Sequence, residues 1–266
     1  NKENTNIITV EDPIEMDIEG INQIQTNSEI GLDFATALRS ILRQDPNIIM
    51  VGEIRDTETA KIAVRASITG HLVLSTLHTN DSLNTIERLL DMDVERYLLA
   101  SSLTGIISQK LARRLCKCKV QKPTNEYEKK MFKKVLNKDV THISVNEGCE
   151  LCDNGYKGRV AIHEVLIINQ DIRDAISSGI KKEYLRDLVF KADVTTLLQD
   201  GLTKVLEGLT TMEEVVKLIE LGDVESDSGD IGLQAAIDYT DISHQAVLEK
   251  ASQTIKNEDS PENPEL

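Results

Sequence analysis

The sequence contains no long apolar run and no excess of basic residues. No uninterrupted apolar stretch approaches the roughly 18 residues that a membrane-spanning helix needs. The formal net charge is -15, with 45 acidic against 30 basic side chains, which argues against a nucleic-acid-binding protein. The first residues lack the basic start and apolar stretch of a signal peptide, so we predict a cytoplasmic protein. Because the chain starts at Asn1 rather than at Met, we also expect a piece of a longer protein.

Negative charge is concentrated at the C-terminal end. From Asp223 onward, 11 acidic residues stand against 2 lysines. Such a composition cannot bury enough apolar surface to order itself. We therefore predict that residues 223–266 are mostly disordered, with at most one helix near 231–255.

Two short apolar runs lead into polar residues of the kind found in active sites. Residues 48–51 are followed by Gly52, Glu53, Ile54, Arg55 and Asp56, and residues 72–74 lie between His71 and His78. Parallel strands of an open sheet present such groups to a ligand at their carboxyl ends. An apolar strand that ends in an acid is also how P-loop nucleoside-triphosphatases place a carboxylate near Mg²⁺ and the attacking water.

Three segments together resemble a known family, the secretion and type IV pilus assembly ATPases. Residues 8–15 (ITVEDPIE) are similar to its aspartate box, residues 48–56 (IIMVGEIRD) to its Walker B segment, and residues 70–81 (GHLVLSTLHTND) to its histidine box. The resemblance extends over about residues 7 to 222. It implies an α/β fold with an incomplete RecA-like P-loop ATPase core, a mostly parallel sheet, and ATP and Mg²⁺ as cofactors.

The phosphate-binding loop of that family is missing from this sequence. A Gly-rich loop that ends in Lys and Ser or Thr holds the phosphates in P-loop enzymes. The resemblance places this loop just upstream of Asn1. We therefore expect the chain alone neither to bind ATP tightly nor to hydrolyse it.

Acidic residues are the main catalytic candidates. Glu53, at the end of an apolar strand, is the candidate for polarising the attacking water; the alternative is an exposed acid that pairs with Arg55. Glu11, Asp12 and Glu15 follow the first strand, and three carboxylates so close together repel one another unless a cation is near. They are either a solvated loop cluster or, as the resemblance implies, contacts to Mg²⁺ or water.

The histidine box supplies further candidates. His71 and His78 lie at opposite ends of one predicted strand, so a shared metal ion is not expected. His78 is the candidate sensor of the terminal phosphate, beside Thr76, whereas His71 supports a neighbouring segment or subunit. The resemblance assigns Asp12, Glu15, Arg55, His71 and Thr76 to the nucleotide site.

The four cysteines form a CxC pair and a CxxC pair separated by 30 residues. Four thiolates suit tetrahedral zinc, so Cys116, Cys118, Cys149 and Cys152 are predicted ligands. The first pair is one residue shorter than the CxxC that assembly-type relatives carry. The alternative is four reduced thiols around a flexible, lysine-rich excursion.

The predicted organisation has four parts. Residues 1–111 form the C-terminal part of the ATPase core, 112–160 a tetracysteine module, 161–222 a mainly helical subdomain and 223–266 the acidic tail. Within the core we predict a helix from about Val94 to Leu111, and in the third part helices at 170–179, 182–191, 195–207 and 211–221.

The resemblance implies a hexameric motor that drives pilin or pseudopilin assembly. It would act at the inner membrane through a platform protein and would not bind nucleic acid. Two alternatives stay open: a nucleotide-independent assembly module, and a pilus-retraction ATPase, against which the four cysteines speak. A Gly-rich loop encoded upstream would distinguish the motor from the module.

Overall fold

The computed structural model describes residues 4–179, 181–191 and 194–224. It divides into two compact units. Unit 1 comprises the chain up to Gly105 together with Ile167–Leu185, and unit 2 comprises Ile106–Leu166 together with the chain from Arg186. The predicted boundaries at 111, 160 and 222 stay a prediction. The predicted tail, apart from its first two residues, and its helix near 231–255 lie outside the described residues.

Unit 1 is built on a parallel sheet of four short strands. They are β1 (Ile7–Glu11), β2 (Asn22–Gln25), β3 (Ile48–Val51) and β4 (Leu72–Ser75), in the order β2-β1-β3-β4. Val10 pairs with Val51, and Val51 with Ser75, so the strands end at nearly the same level. The central strands are buried, as the apolar runs predicted, and their carboxyl ends share one edge of the sheet.

Helices follow the strands of unit 1, and aspartates begin three of them. The helices are α1 (Phe34–Ile41), α2 (Thr57–Ile68), α3 (Ser82–Asp91) and α4 (Arg96–Ser102). Asp33, Asp56 and Asp81 are the N-caps of α1, α2 and α3, and each carboxylate accepts a hydrogen bond from a backbone N–H of the first turn. The N-cap that the sequence predicts at Asp33 is confirmed, and of the two candidates for α3, Asn80 and Asp81, the cap is Asp81.

The predicted helix from Val94 to Leu111 is wrong in its second half. α4 ends at Ser102, and β5 runs over Gly105–Leu115. Ile106 and Ser108 are buried while Ile107 between them is 68% exposed, which is the alternation of a strand. The apolar residues of this stretch also fit a helical spacing, so pairing with a distant strand decides the outcome.

Unit 2 contains two pairs of strands and several helices. β5 pairs with β8 (Tyr156–Ile167), and β6 (Val120–Pro123) pairs antiparallel with β7 (His142–Val145). Between β6 and β7 lies α5 (Glu126–Leu136), so the lysine-rich excursion has regular structure. Later helices are α6 (Gln170–Ser178, in unit 1), α7 (Lys182–Lys191), α8 (Leu197–Leu206) and α9 (Met212–Val224).

The core of unit 2 surrounds Phe132, which is fully buried. Ala112 of β5, Val135 of α5, Leu202 of α8 and Val215 of α9 belong to the same apolar cluster. Among the described residues, no helix has both the length and the apolar character that crossing a membrane requires.

Candidate functional site

The site predicted from the strand ends lies at the carboxyl edge of the parallel sheet in unit 1. Glu11 is the last residue of β1, Glu53 follows β3 by two residues, and Thr76 and His78 follow β4. Because β1, β3 and β4 are adjacent in the sheet, the three segments leave it side by side. The four side chains come from segments that are far apart in sequence.

The carboxylate of Glu53 is held by two basic side chains. Arg55 Nη2 lies 2.5 Å from Glu53 Oε1, and His78 Nε2 lies 3.2 Å from Oε2. The side chain of Glu53 is only 13% exposed, against 62% for Arg55 and 89% for His78. The hydrogen bond from Arg55 lowers the pKa of Glu53, with a smaller effect of His78, although burial acts in the opposite direction. Glu53 is therefore ionised at neutral pH.

Gly52 occupies the position where many P-loop enzymes carry an aspartate. Its N–H donates to Val10 O at 2.8 Å, and an added Cβ would lie 3.1 Å from that same oxygen. A side chain at this position would push β3 away from β1. The close approach of the two strands thus leaves Glu53 as the acid at the end of β3.

Thr76 joins the ends of β3 and β4. Its hydroxyl donates to Gly52 O at 2.7 Å, and its own carbonyl accepts from Ile54 N at 3.0 Å. These two bonds fix the backbone on both sides of Glu53. The structure therefore shows a positioning contact for Thr76.

Glu11 is held by two residues that the sequence analysis did not single out. Thr9 Oγ1 and Gln23 Nε2 donate to Glu11 Oε1 at 2.5 and 2.9 Å. Thr9 is two residues before Glu11 on the same strand face, and it pairs with Gln23 in the register of β1 and β2. Thr9 could have been identified from the sequence as a neighbour of Glu11, because alternate residues of a strand lie on the same face. Gln23 could not, because its contact with Glu11 depends on which strands are neighbours in the sheet.

The other predicted residues are spread around this centre. Asp12 and Glu15 are exposed on the connection after β1. The hydrogen bond to Glu53 raises the pKa of Arg55, and Asp12 adds a smaller favourable charge, so Asp12 faces the same group. His71 Nδ1 lies 2.9 Å from Ala66 O and 3.2 Å from Thr69 Oγ1, at the end of α2. His71 thus supports a neighbouring segment.

The residues present fit part of a Mg²⁺–nucleotide site. Two anchored carboxylates, Glu11 and Glu53, sit at adjacent strand ends, where carboxylates bind a hydrated Mg²⁺ ion or orient water. A loop of the Gly-rich type with its lysine is absent from the sequence. Glu11 and Glu53 are therefore the residues that would contact Mg²⁺ or its water ligands, and the sequence contains no Gly-rich loop that would hold the phosphates.

A second candidate site, in unit 2, is formed by the four cysteines. Their sulfurs all lie within 4.8 Å of one another. Cys116 and Cys149 are 4.0 Å apart, Cys118 and Cys152 3.8 Å, and Cys149 and Cys152 3.5 Å. A tetrahedron with Zn–S bonds of about 2.3 Å has sulfurs about 3.8 Å apart. The thiols are free, and their spacing fits one zinc ion.

The thiols differ in acidity. A backbone hydrogen bond from Cys118 and the neighbouring thiols, opposed by burial, lower the pKa of Cys116 to about 7. Despite a backbone hydrogen bond from Gly148, burial and the other thiols raise the pKa of Cys118 to about 12. A metal ion binds cysteine as thiolate, so a bound ion would require all four thiols to lose their protons.

The cysteine cluster is anchored to the rest of unit 2. Cys116 N donates to Gly155 O at 2.8 Å, and Lys119 Nζ donates to Gly208 O at 2.6 Å. Arg113 lies 4.1 Å above the ring of Tyr156 and forms an ion pair with Glu214 at 2.6 Å. The cluster is therefore part of the folded unit.

Fold and site together define the α/β core of a RecA-like ATPase with an added cysteine module. Helices and a parallel sheet place acids and a histidine at one edge, as in that class. Comparison with known proteins agrees with this class of protein. A family model described as "Type II/IV secretion system protein" matches residues 1–217.

The individual proteins that this chain resembles are also named as secretion and pilus proteins. Type II secretion system protein E of Pectobacterium carotovorum subsp. carotovorum is 49% identical over 222 residues, 82% of this chain and 43% of that protein. Type IV pilus assembly ATPase PilB of Thermus thermophilus is 49% identical over 214 residues, 79% of this chain and 24% of that protein. A crystal structure of the pilus retraction motor PilT with bound ADP matches with a TM-score of 0.58 and 32% identity, over 80% of this chain and 52% of that one.

The chain belongs to the type II/IV secretion system protein family. The three boxes identified in the sequence lie within the matched residues, so the predicted resemblance is confirmed. The chain spans less than half the length of these two relatives.

Proposed function

We propose that this chain is the catalytic part of a motor ATPase that drives pilin or pseudopilin assembly in type II secretion or type IV pilus formation. The observation that carries the proposal is the anchored carboxylate of Glu53, at the edge of the sheet beside Glu11 and His78. Relatives named as a secretion protein and as a pilus assembly ATPase support it.

Glu53 orients the water that attacks the terminal phosphate of ATP. Both of its oxygens are engaged, Oε1 by Arg55 and Oε2 by His78. Each carboxylate oxygen has a second lone pair that can accept a hydrogen bond from water, and the exposed ring of His78 is the group that can turn towards a phosphate. Bound Mg²⁺ would neutralise phosphate charge, and Glu11, Asp12 and Glu15 would contact its water ligands.

The phosphate-binding loop comes from a segment outside this sequence, on the open side of β4. Within the described residues β4 has one partner, β3, and its Leu72 and Leu74 are 53% and 50% exposed. An edge strand with exposed leucines accepts another strand. A strand paired there would deliver its loop next to Thr76 and His78.

The working assembly in this proposal is a cytoplasmic hexameric ring at the inner membrane. An ATPase that moves pilins must transmit its motion to a membrane platform protein, and rings of identical subunits do so by changing domain angles. Arg55 and His71 are candidates for contacts to nucleotide or to a neighbouring subunit. A retraction motor is the alternative supported by the match to PilT, while the four cysteines favour an assembly motor. The nucleotide-independent module is the other alternative.

The four cysteines hold a structural zinc ion in this proposal. A tetrahedral site with four thiolate ligands leaves no open position for chemistry, so its role is to fold the excursion that contains β6, α5 and β7. The sulfur spacing supports it, because it matches the tetrahedron despite the short CxC pair.

The experiment that tests the proposal is the substitution Glu53→Gln in a protein that carries the phosphate loop. ATP binding should persist, while hydrolysis should fall about 100-fold or more, the effect of losing a positioned base. Glu58→Gln is the matched control, since Glu58 is an exposed acid on α2 that pairs with Arg39. Near-normal turnover of the Glu53 variant would refute the assignment.

A further inference from the structure

Strand β2 is composed almost entirely of amide side chains. Its four residues are Asn22, Gln23, Ile24 and Gln25, and none of them is buried. Within the described residues β2 has one partner strand, β1. Core packing therefore does not explain the composition of this strand, and the contacts of its amide groups are its main contribution.

The side chain of Gln23 connects three points of unit 1. Its Nε2 donates to Glu11 Oε1 at 2.9 Å and to Met16 O at 3.1 Å, and its Oε1 accepts from Ile18 N at 2.8 Å. These partners fix the orientation of the amide, because the two acceptor oxygens require the NH₂ group and the backbone N–H requires the carbonyl oxygen. One neutral side chain thus holds both the Glu11 carboxylate and the connection that follows β1.

The connection from residue 12 to residue 21 carries four acids and no basic residue. Like charges so close together repel one another, and contacts to the backbone oppose this repulsion by holding the chain in one conformation. Gln23 contacts the backbone on both sides of Asp17, at Met16 and at Ile18. The amide therefore holds the connection without neutralising any of its carboxylates.

The two donors to Glu11 reach the same carboxylate oxygen. Thr9 Oγ1 donates to Glu11 Oε1 at 2.5 Å, and Gln23 Nε2 donates to that oxygen as well. Both lone pairs of Oε1 are then used, whereas no described residue donates a hydrogen bond to Oε2. Glu11 can therefore offer Oε2 to a cation or to a water molecule while Oε1 keeps the side chain in place.

The carboxylates of Glu11 and Glu53 are held by groups of different charge. Glu53 contacts the basic side chains of Arg55 and His78, whereas the two donors to Glu11 are neutral. A neutral donor fixes a carboxylate without cancelling its charge, so Glu11 keeps the negative charge that attracts a divalent cation. A lysine or arginine at position 23 would compete with that cation.

We propose that Gln23 is a positioning residue for the metal-facing carboxylate of Glu11, and that it couples this carboxylate to the acidic connection after β1. Together with Thr9 it occupies Oε1 and leaves Oε2 to bind Mg²⁺ or its water ligands. The inference rests on the proposed function, because it assigns Glu11 to the metal ion of that site.

Mn²⁺ binding tests the proposal without depending on hydrolysis, because electron paramagnetic resonance measures free Mn²⁺. The protein carries the phosphate loop and is loaded with a non-hydrolysable ATP analogue. Gln23→Met keeps the length of the side chain and removes the amide, so it should weaken Mn²⁺ binding about tenfold, the effect of losing a hydrogen bond to a charged group. Gln25→Met is the matched control and should leave Mn²⁺ binding nearly unchanged, since the Gln25 amide accepts from Ile14 N at 3.3 Å and does not contact Glu11.

A double-mutant cycle separates positioning from general stability. In the Glu11→Gln background, Gln23→Met should cause no further loss of Mn²⁺ binding, because the carboxylate through which it acts is gone. A role in stability alone would weaken binding in both backgrounds. Thr9→Val removes the other donor and should also weaken binding, and Thr9→Ser, which restores the hydroxyl, should recover most of that loss.

Hydrogen exchange of the chain itself tests the contact with the connection. The amide of Ile18 should exchange faster in Gln23→Met than in the parent, and it should keep its protection in Gln25→Met. Unchanged exchange at Ile18 would refute the coupling. Additive losses in the cycle, or Mn²⁺ binding that Gln23→Met leaves unchanged, would overturn the positioning role. None of these results would affect the proposed function, which the hydrolysis rate of the Glu53→Gln variant tests separately.

Discussion

At the scale of single residues, the Glu53 carboxylate is the group around which the candidate site is arranged. Its two hydrogen-bonding partners, Arg55 and His78, hold it in place and favour its charged form. That makes Glu53 a poor acceptor of a full proton and a good acceptor of a hydrogen bond. In the proposed function, such a group orients the attacking water through a hydrogen bond.

The lowered pKa of Glu53 has a consequence for stability. Because the folded-state pKa lies below the ordinary value of 4.5, the ionised carboxylate stabilises the fold. This contribution is complete above the unfolded-state pKa and is lost as the pH falls through the folded-state pKa. Glu53→Gln should therefore lower the free energy of unfolding near pH 7, and the difference from the parent should shrink as the pH falls below 4.5 and through the lowered folded-state pKa.

Chemical denaturation at a series of pH values measures this difference. In a chain that already carries Arg55→Gln, the pH dependence should become much smaller, because Arg55 is the main cause of the lowered pKa. A difference that is constant from neutral to acid pH would contradict the assigned cause.

At the scale of secondary-structure elements, α2 fixes the segment that carries Glu53 and Arg55. The carboxylate of Asp56 accepts hydrogen bonds from Thr59 N at 2.8 Å and Thr59 Oγ1 at 2.9 Å, and it starts the helix directly after Arg55. The motif GEIRD therefore combines a site acid, its partner and a helix cap within five residues.

Removing this cap should cost stability. Asp56→Ala leaves the first turn of α2 without its acceptor and should lower the free energy of unfolding by about 1 kcal/mol. Asp56→Ser is the matched control, since serine also caps, and it should retain most of the stability. Equal losses for the two variants in urea denaturation would show that capping is not the cause.

At the scale of the whole molecule, the two units contribute differently. Unit 1 contains the carboxylates of the proposed nucleotide site, and unit 2 contains the cysteine cluster. The first depends on a phosphate loop that this sequence lacks, and the second is complete within the chain. Each can be tested separately.

The chain by itself should not bind ATP tightly. Backbone N–H groups and the lysine of a phosphate loop make most of the triphosphate contacts in P-loop proteins. Calorimetry with ATP and Mg²⁺ should therefore show no binding at micromolar concentration. Micromolar binding would place the nucleotide somewhere other than beside the absent loop.

Metal removal should destabilise unit 2 selectively. Elemental analysis of protein purified without chelator should give about one zinc per chain, and Cys149→Ser should abolish it, because each thiolate is one of four ligands. A strong chelator should accelerate hydrogen exchange in β6 and β7 and leave β1 and β3 unchanged. Chelator presaturated with zinc is the control. If the purified protein contains no zinc and its melting temperature does not change with the chelator, the four cysteines are reduced thiols and not zinc ligands.

The sequence by itself determined the local features of the site. The apolar runs at 48–51 and 72–74, the caps at Asp33 and Asp56, and the position of Glu53 at a strand end follow from short-range patterns. Local chain stiffness, capping and side-chain alternation act over a few residues, so they can be read without the fold.

Tertiary structure decided what depends on distant segments. Strand order brought His78 to Glu53 and Gln23 to Glu11, and pairing with β8 made β5 a strand where spacing favoured a helix. The close approach of β1 explains why Gly52 precedes Glu53. Contacts between segments far apart in sequence cost loop-closure entropy and are selected by packing of the whole unit, so the residues alone do not specify them.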